Sequence, residues 1–262
     1  MPEMSLSDRA QSELRQIVTH YSAAEAEVVR EFLSRPHEAD EYLDVLLRQA
    51  GREIHAACSM TRALRMLDNL EDSVDRYALY DQMERMADEV KHYCLIADIA
   101  EEIAGRKLGQ QELLKYWVFA VYDPMVPEDK LYNPRLPEAN RYLGVSRELM
   151  DKIGWDRGRP LTRMAEGGGG GAFEEAARHG SNPFEVRFAE VMGRIFADEV
   201  HHGPETVAGY VEHFVHSDSD LDEAKLWLTR FLSQHLRIRN EIYHNPLSPD
   251  RLAAIDTEKL HQ

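Results

Sequence analysis

Apolar residues recur three and four positions apart through most of this 262-residue chain, and runs of alternating β-branched residues are scarce. That spacing buries one face of a helix and offers nothing for the inner side of a sheet, so the predicted class is all-α. A first helix is expected from Asp8 to Leu33 with Ser7 as its N-cap, and Pro36 separates it from the next. A second is expected from Ala39 to Leu67, its apolar face carried by Leu43, Leu46, Leu47, Ile54, Ala57 and Cys58. The short polar segment Asn69 to Ser73 reads as a turn between antiparallel helices. A third helix then runs from Val74 to Ala104 with Gly105 as its C-cap, and a fourth from Gln110 to Val121.

From Asp123 to Pro160 the texture changes. Pro124, Pro127, Pro134, Pro137 and Pro160 divide this stretch into loops and short helices. It reads equally as a crossover joining two halves of one domain, as a cap over a site, or as a loop insertion. Helical spacing resumes from Leu161 to His179, turns at Gly180 to Pro183, and continues from Phe184 through His202, where Pro204 must kink or restart the helix. A last helix spans Asp220 to Tyr243, is stopped at Asn245-Pro246, and leaves a tail.

The formal charge of −16 repels phosphate backbones and anionic lipid, so nucleic acid and membranes are not expected partners. At 43% hydrophobic residues the chain has enough apolar surface for a sizeable core. The two cysteines, Cys58 and Cys94, fit no zinc spacing and read as small buried thiols of a reducing compartment. The N-terminal residues lack the apolar core of a signal peptide, and no apolar run approaches a spanning length, so a cytoplasmic location is expected.

Two segments nearly repeat. Ala87-Asp88-Glu89-Val90-Lys91-His92 and Ala197-Asp198-Glu199-Val200-His201-His202 agree at five of six positions, 110 residues apart. Each places a Glu and a His three residues apart on one helical face, a natural half-site for a divalent metal. The pairs Glu241/His244 and Glu258/His261 have the same spacing, but they sit at a helix end and in the tail and read as surface coincidences. A bundle site needs one more Glu from the helix antiparallel to each such pair. Equal distance from the turn near Glu71 selects Glu53 against Glu89, and equal distance from Ser181-Asn182 selects Glu166 against Glu199. Glu84, Glu174 and Glu175 fail this count.

The resulting order, a Glu followed by Glu-x-x-His in each half with Glu-to-Glu intervals of 36 and 33, resembles the ferritin-like di-metal carboxylate superfamily. Its oxygen-activating di-iron members, such as multicomponent monooxygenases and ribonucleotide reductase small subunits, are the nearest in pattern. The resemblance covers about 39–104 and 161–215, and Asp88 to His92 is similar to the Asp-Glu-x-Arg-His signature of the monooxygenases. Position 201 departs from that signature, with His where a cation is usual. The resemblance implies one ferritin-like four-helix bundle over 1–262, with additional helices and a long Pro-rich crossover. It further implies metal ligation by Glu53, Glu89, His92, Glu166, Glu199 and His202, with Asp88 and Asp198 orienting ligand histidines. Four glutamates balance two divalent cations, and oxygen and imidazole donors without thiolate suit iron or manganese. Two Fe ions are expected, or an Mn/Fe pair, about 3.5–4 Å apart, with O2 as co-substrate.

Gly167 to Gly171 directly follow Glu166. Inside a helix five glycines cost on the order of 4–5 kcal/mol relative to alanine, yet the flanks LTRMAE and AFEEAARH are helical. Missing side chains there would open space beside the metals for substrate or O2. Tyr77, Tyr80 and Tyr93 share a helix with His92 but read first as packing residues, as do Cys58, Met60, Trp117 and Phe119.

The expected function is an O2-dependent di-iron oxidoreductase, a monooxygenase or oxidase, acting on a small organic molecule. No flavin or nicotinamide fingerprint is present, so an external electron donor is implied. The alternatives are a ferroxidase or iron-storage protein and a metal-free helical partner protein. A tRNA-modifying role lacks the basic patch it would need. Should the chain self-associate, a homodimer is the commonest arrangement.

Overall fold

A computed structural model describes residues 5–57, 76–116, 135–199 and 202–258, with the side chains of Glu166 and His202 outside that description. Among the described residues every regular element is a helix. They are α1 (Leu6–Leu33), α2 (Ala39–Ala57), α3 (Arg76–Ala104), α4 (Gln110–Leu113), α5 (Pro137–Ile153), α6 (Trp155–Ala177), α7 (Pro183–Glu199), α8 (His202–Phe214), α9 (Asp218–Ile242) and α10 (Pro249–Thr257). The chain divides into two compact units, one of Met1–Pro36 with Arg141–Gln262 and one of His37–Asn140.

In the larger unit α1, α6 and α9 run parallel. Arg9 pairs with Asp218, Lys225 with Glu13, and the rings of Phe32 and Tyr243 meet at 5.3 Å, so α1 and α9 advance together from end to end. Arg30 reaches Glu175 of α6 at 3.1 Å. The core between them is apolar and closed, with Leu14, Val28, Phe32, Leu161, Met164 and Phe231 almost fully buried. One charged cluster is buried within it. Glu25 of α1 accepts hydrogen bonds from Arg239 Nε at 3.0 Å and from His235 Nδ1 at 2.5 Å, both on α9. The Arg239 guanidinium also stacks 5.0 Å from the Phe173 ring centre. A buried carboxylate persists as an anion only when it is paired and hydrogen-bonded in this way.

α6 and α7 form an antiparallel hairpin. A Cβ built on Gly193 would lie 3.5 Å from that of Ala177, and one on Gly170 would lie 3.7 Å from Phe196. The glycine run is α-helical throughout. Its last member has a packing reason: a Cβ on Gly171 would overlap the Ser22 backbone of α1, 2.8 Å from the carbonyl carbon. At Gly171 the missing side chain therefore admits a neighbouring helix, not an open space. Pro160 also lies inside α6, five residues past its start, where the sequence predicts a break. The Pro-rich stretch likewise holds a longer helix than expected, the 17-residue α5.

The caps explain the boundaries. Ser5, not Ser7, caps α1 by accepting the Asp8 N–H at 3.2 Å. Gly105 ends α3 with φ of +64°, as its position predicts. Ser217 caps α9, and His244 and Asn245 close it in the left-handed region. The segment expected to be a tail contains α10, capped by Ser248. It is tied to α1 by Tyr21 Oη donating to Asp256 at 3.0 Å and by Arg251 pairing with Glu27 at 2.7 Å.

In the smaller unit α2 packs along α3. Asp44 of α2 accepts hydrogen bonds from Tyr116 Oη at 2.6 Å and Lys115 Nζ at 2.9 Å, fixing the chain after α4 against the start of α2. The predicted continuation of the second helix to Leu67, the turn at Asn69 to Ser73, and the residues Cys58, Met60, Trp117 and Phe119 lie outside the described residues.

Candidate metal centre

Glu53 stands in the last turns of α2, and Glu89 and His92 stand one turn apart in α3. One donor atom from each lies within 4.8 Å of the other two, the one such grouping of three among the described residues. Glu53 and His92 are buried and Glu89 is half-buried. His92 Nδ1 is 3.6 Å from Glu53 Oε2. The other Glu53 oxygen, Oε1, accepts a hydrogen bond from the side-chain amide of Gln49, one turn back along α2 and itself buried. Burial pushes the Glu53 pKa up, but the hydrogen bond and charge of His92, then Arg52 and Gln49, outweigh it and hold the carboxyl below its usual range. The site therefore offers anionic oxygen and imidazole nitrogen together, which fits a divalent cation of the iron or manganese type.

The second copy of the motif lies in the other unit. Glu199 ends α7 and is buried, His202 begins α8, and Glu166 lies in α6. Glu166 and Glu199 stand on the two arms of the α6–α7 hairpin, and the side chains of Glu166 and His202 lie outside the described residues. Glu89 and His92 share helix α3. Val200 and His201, between Glu199 and His202, lie outside the described residues.

The carboxylate of Asp88, expected to orient a ligand histidine, faces Lys91 at 3.6 Å, and the His202 side chain lies outside the described residues. Asp198 is half-buried on α7. The rejected glutamates have other partners: Glu84 accepts from Tyr80 Oη at 2.6 Å, Glu174 pairs with Arg178, and Glu175 pairs with Arg30 and His179. Glu258 is exposed and paired with Arg251, as a surface coincidence should be. Glu241 corrects that reading for the other pair, being 4% exposed in the core around α9. Cys94 is exposed, contrary to the expected buried thiol, because it falls on the outer face of α3 with Met83, Ala87 and Lys91. Tyr80 is exposed too, and Tyr93 is half-buried.

Sequence reasoning passed over Gln49. The signal was present: it lies four residues before Glu53 on the same helical face, amid the buried Leu46, Leu47 and Ala50. Among the described residues no helix is long and apolar enough to cross a membrane. No protein-family model, curated protein or solved structure gives a significant match to the chain.

Proposed function

We propose that this chain is an O2-dependent non-haem di-iron oxidoreductase of ferritin-like architecture that acts on a small organic substrate. The observation that carries the reading is the convergence of Glu53, Glu89 and His92, two carboxylates and an imidazole from adjacent helices, at a largely buried point. The repeat of that motif at Glu199 and His202, with Glu166 on the hairpin partner, supplies the second half of the ligand set. Two iron ions held there would provide the redox chemistry for O2, with an external donor returning electrons.

The chain's own residues do the positioning. Gln49 fixes one oxygen of Glu53 by hydrogen bonding, so the other oxygen faces His92 and the metal position. Burial of Glu53 and His92 keeps bulk water from the ligand atoms and strengthens their attraction for a cation. Of Glu53, Glu89 and His92, half-buried Glu89 is the nearest to solvent and so has the most room to change its mode of binding.

The test is to load purified protein with Fe(II) anaerobically, measure the metal content, and then admit O2. Two iron ions per chain, a change in absorption and consumption of O2 are expected. Protein that binds no iron, or binds it and consumes no O2, overturns the proposal.

A further inference from the structure

The outer face of α9 repeats one spacing. Between Leu221 and Ile242 three residues are exposed, Asp222, Leu226 and Arg230. They are four positions apart and so form a single stripe. Leu226, 64% exposed, is the most exposed large hydrophobic among the described residues. An acid stands one turn before it and a base one turn after. Asp222 has no ion-pair or hydrogen-bond partner among the described residues. Arg230 is held outward by Glu148 of α5, meeting its two oxygens at 2.7 and 2.5 Å, and lies 5.3 Å from the Trp227 ring centre. Those bonds use one N–H from each terminal nitrogen, which leaves the guanidinium with donors for a second carboxylate. Beside the stripe the surface is recessed: Leu226, Thr229 and Ser233 line a groove of about 600 Å³ that reaches Tyr21 of α1 and Asp256 of α10.

This order of acid, leucine and base is complementary to itself. Turn a second α9 antiparallel about a two-fold axis at Leu226, and the two leucines meet. Asp222 of each copy then faces the partner's Arg230, because each lies one turn, about 6 Å, from the axis. A parallel pairing would set like charges together. A two-fold interface requires this kind of reciprocity. It would remove Leu226 from water and give Asp222 the partner it lacks within its own chain.

We propose that the outer face of α9 docks a second copy of this chain, antiparallel and centred on Leu226, with reciprocal Asp222–Arg230 ion pairs. The proposal is independent of the metal centre and uses none of its residues.

Sedimentation equilibrium of the full chain at about 100 μM tests it. The natural sequence is expected at twice 30.2 kDa. Leu226→Asp, Asp222→Arg and Arg230→Asp are each expected to be monomeric, their association weakened by about 100-fold or more through a desolvated charge or like charges set face to face. Far-UV circular dichroism checks that each keeps its helix. The decisive step mixes Asp222→Arg with Arg230→Asp in equal amounts. One stripe then carries two cations and the other two anions, and the two proteins are expected to form a one-to-one dimer although neither pairs with itself. A monomeric natural sequence overturns the proposal. So does Leu226→Asp that stays dimeric, because the copies then meet elsewhere. Charge variants that remain dimeric alone, or that stay apart on mixing, overturn the antiparallel pairing and the proposal with it. Should Arg230→Asp lose helix beside Glu148, Glu148→Gln with Arg230→Asp takes its place in the mixture, with the same result expected.

Discussion

Gly171 of α6 lies so close to Ser22 of α1 that a methyl group on it would overlap the Ser22 carbonyl. The obstructing atoms are backbone, so they yield only if a helix shifts. Gly171→Ala is therefore expected to destabilise the protein by about 1–3 kcal/mol, despite alanine's better helix propensity. Gly144 in α5 gives the opposite case, because a Cβ there meets nothing within 4 Å. Gly144→Ala is expected to stabilise by about 0.5–1 kcal/mol. Urea unfolding of the two variants beside the parent checks both signs.

The Glu25 cluster sets a prediction in pH. Burial alone would raise the Glu25 pKa, but the charges and hydrogen bonds of His235 and Arg239 reverse this and lower it to about 2. A depressed carboxyl pKa adds stability above its unfolded value and loses it as pH falls toward the folded one. The stabilisation is thus complete above the ordinary carboxylate range, near pH 4.5, and disappears between there and about pH 2. Glu25→Gln leaves Arg239 and His235 buried without their counter-charge and is expected to cost about 3–5 kcal/mol at neutral pH. Its stability should also lose this particular dependence on acid, as thermal melts across the acid range would reveal.

Gln49 gives a prediction specific to the proposed metal centre. Gln49→Leu keeps the volume but removes the hydrogen bond that fixes Glu53. Metal affinity is expected to fall by about 10–100-fold with little change in helix content. Equilibrium dialysis against Mn(II) reads it, and unchanged affinity would show that Glu53 needs no such support.

α10 should matter more than a terminal segment usually does. Leu252 and Ile255 are buried, and His20 Nε2 lies 2.9 Å from the Ile255 carbonyl oxygen. Ending the chain after Leu247 removes that contact and is expected to cost on the order of 3–6 kcal/mol. A melting temperature equal to that of the full chain would contradict this.

The sequence announced its helices through apolar spacing and their ends through local chemistry, so α3, Gly105 and the turn before Pro183 lie where expected. It failed where distant packing decided the outcome. Nothing local to Gly171 reports that Ser22 will press against it, and nothing in residues 249–257 reports that Tyr21 and Glu27 will receive them. Ser5 and Ser7 are both competent caps, and only the helix start chooses between them. At the candidate site, equal distance from the expected turn near Glu71 selects Glu53, and its carboxylate lies within 4.8 Å of donors of Glu89 and His92. Gln49 escaped that count because a neutral amide carries no charge pattern to notice.

The parallel alignment of α1 and α9 has a cost during synthesis. Glu25 and its partner Arg239 are separated by 214 positions in the chain. On the ribosome α1 therefore emerges with its apolar face uncovered and waits for nearly the whole remaining chain before α9 can reach it. α6, which also packs on α1, is made before α9 and covers part of that face first.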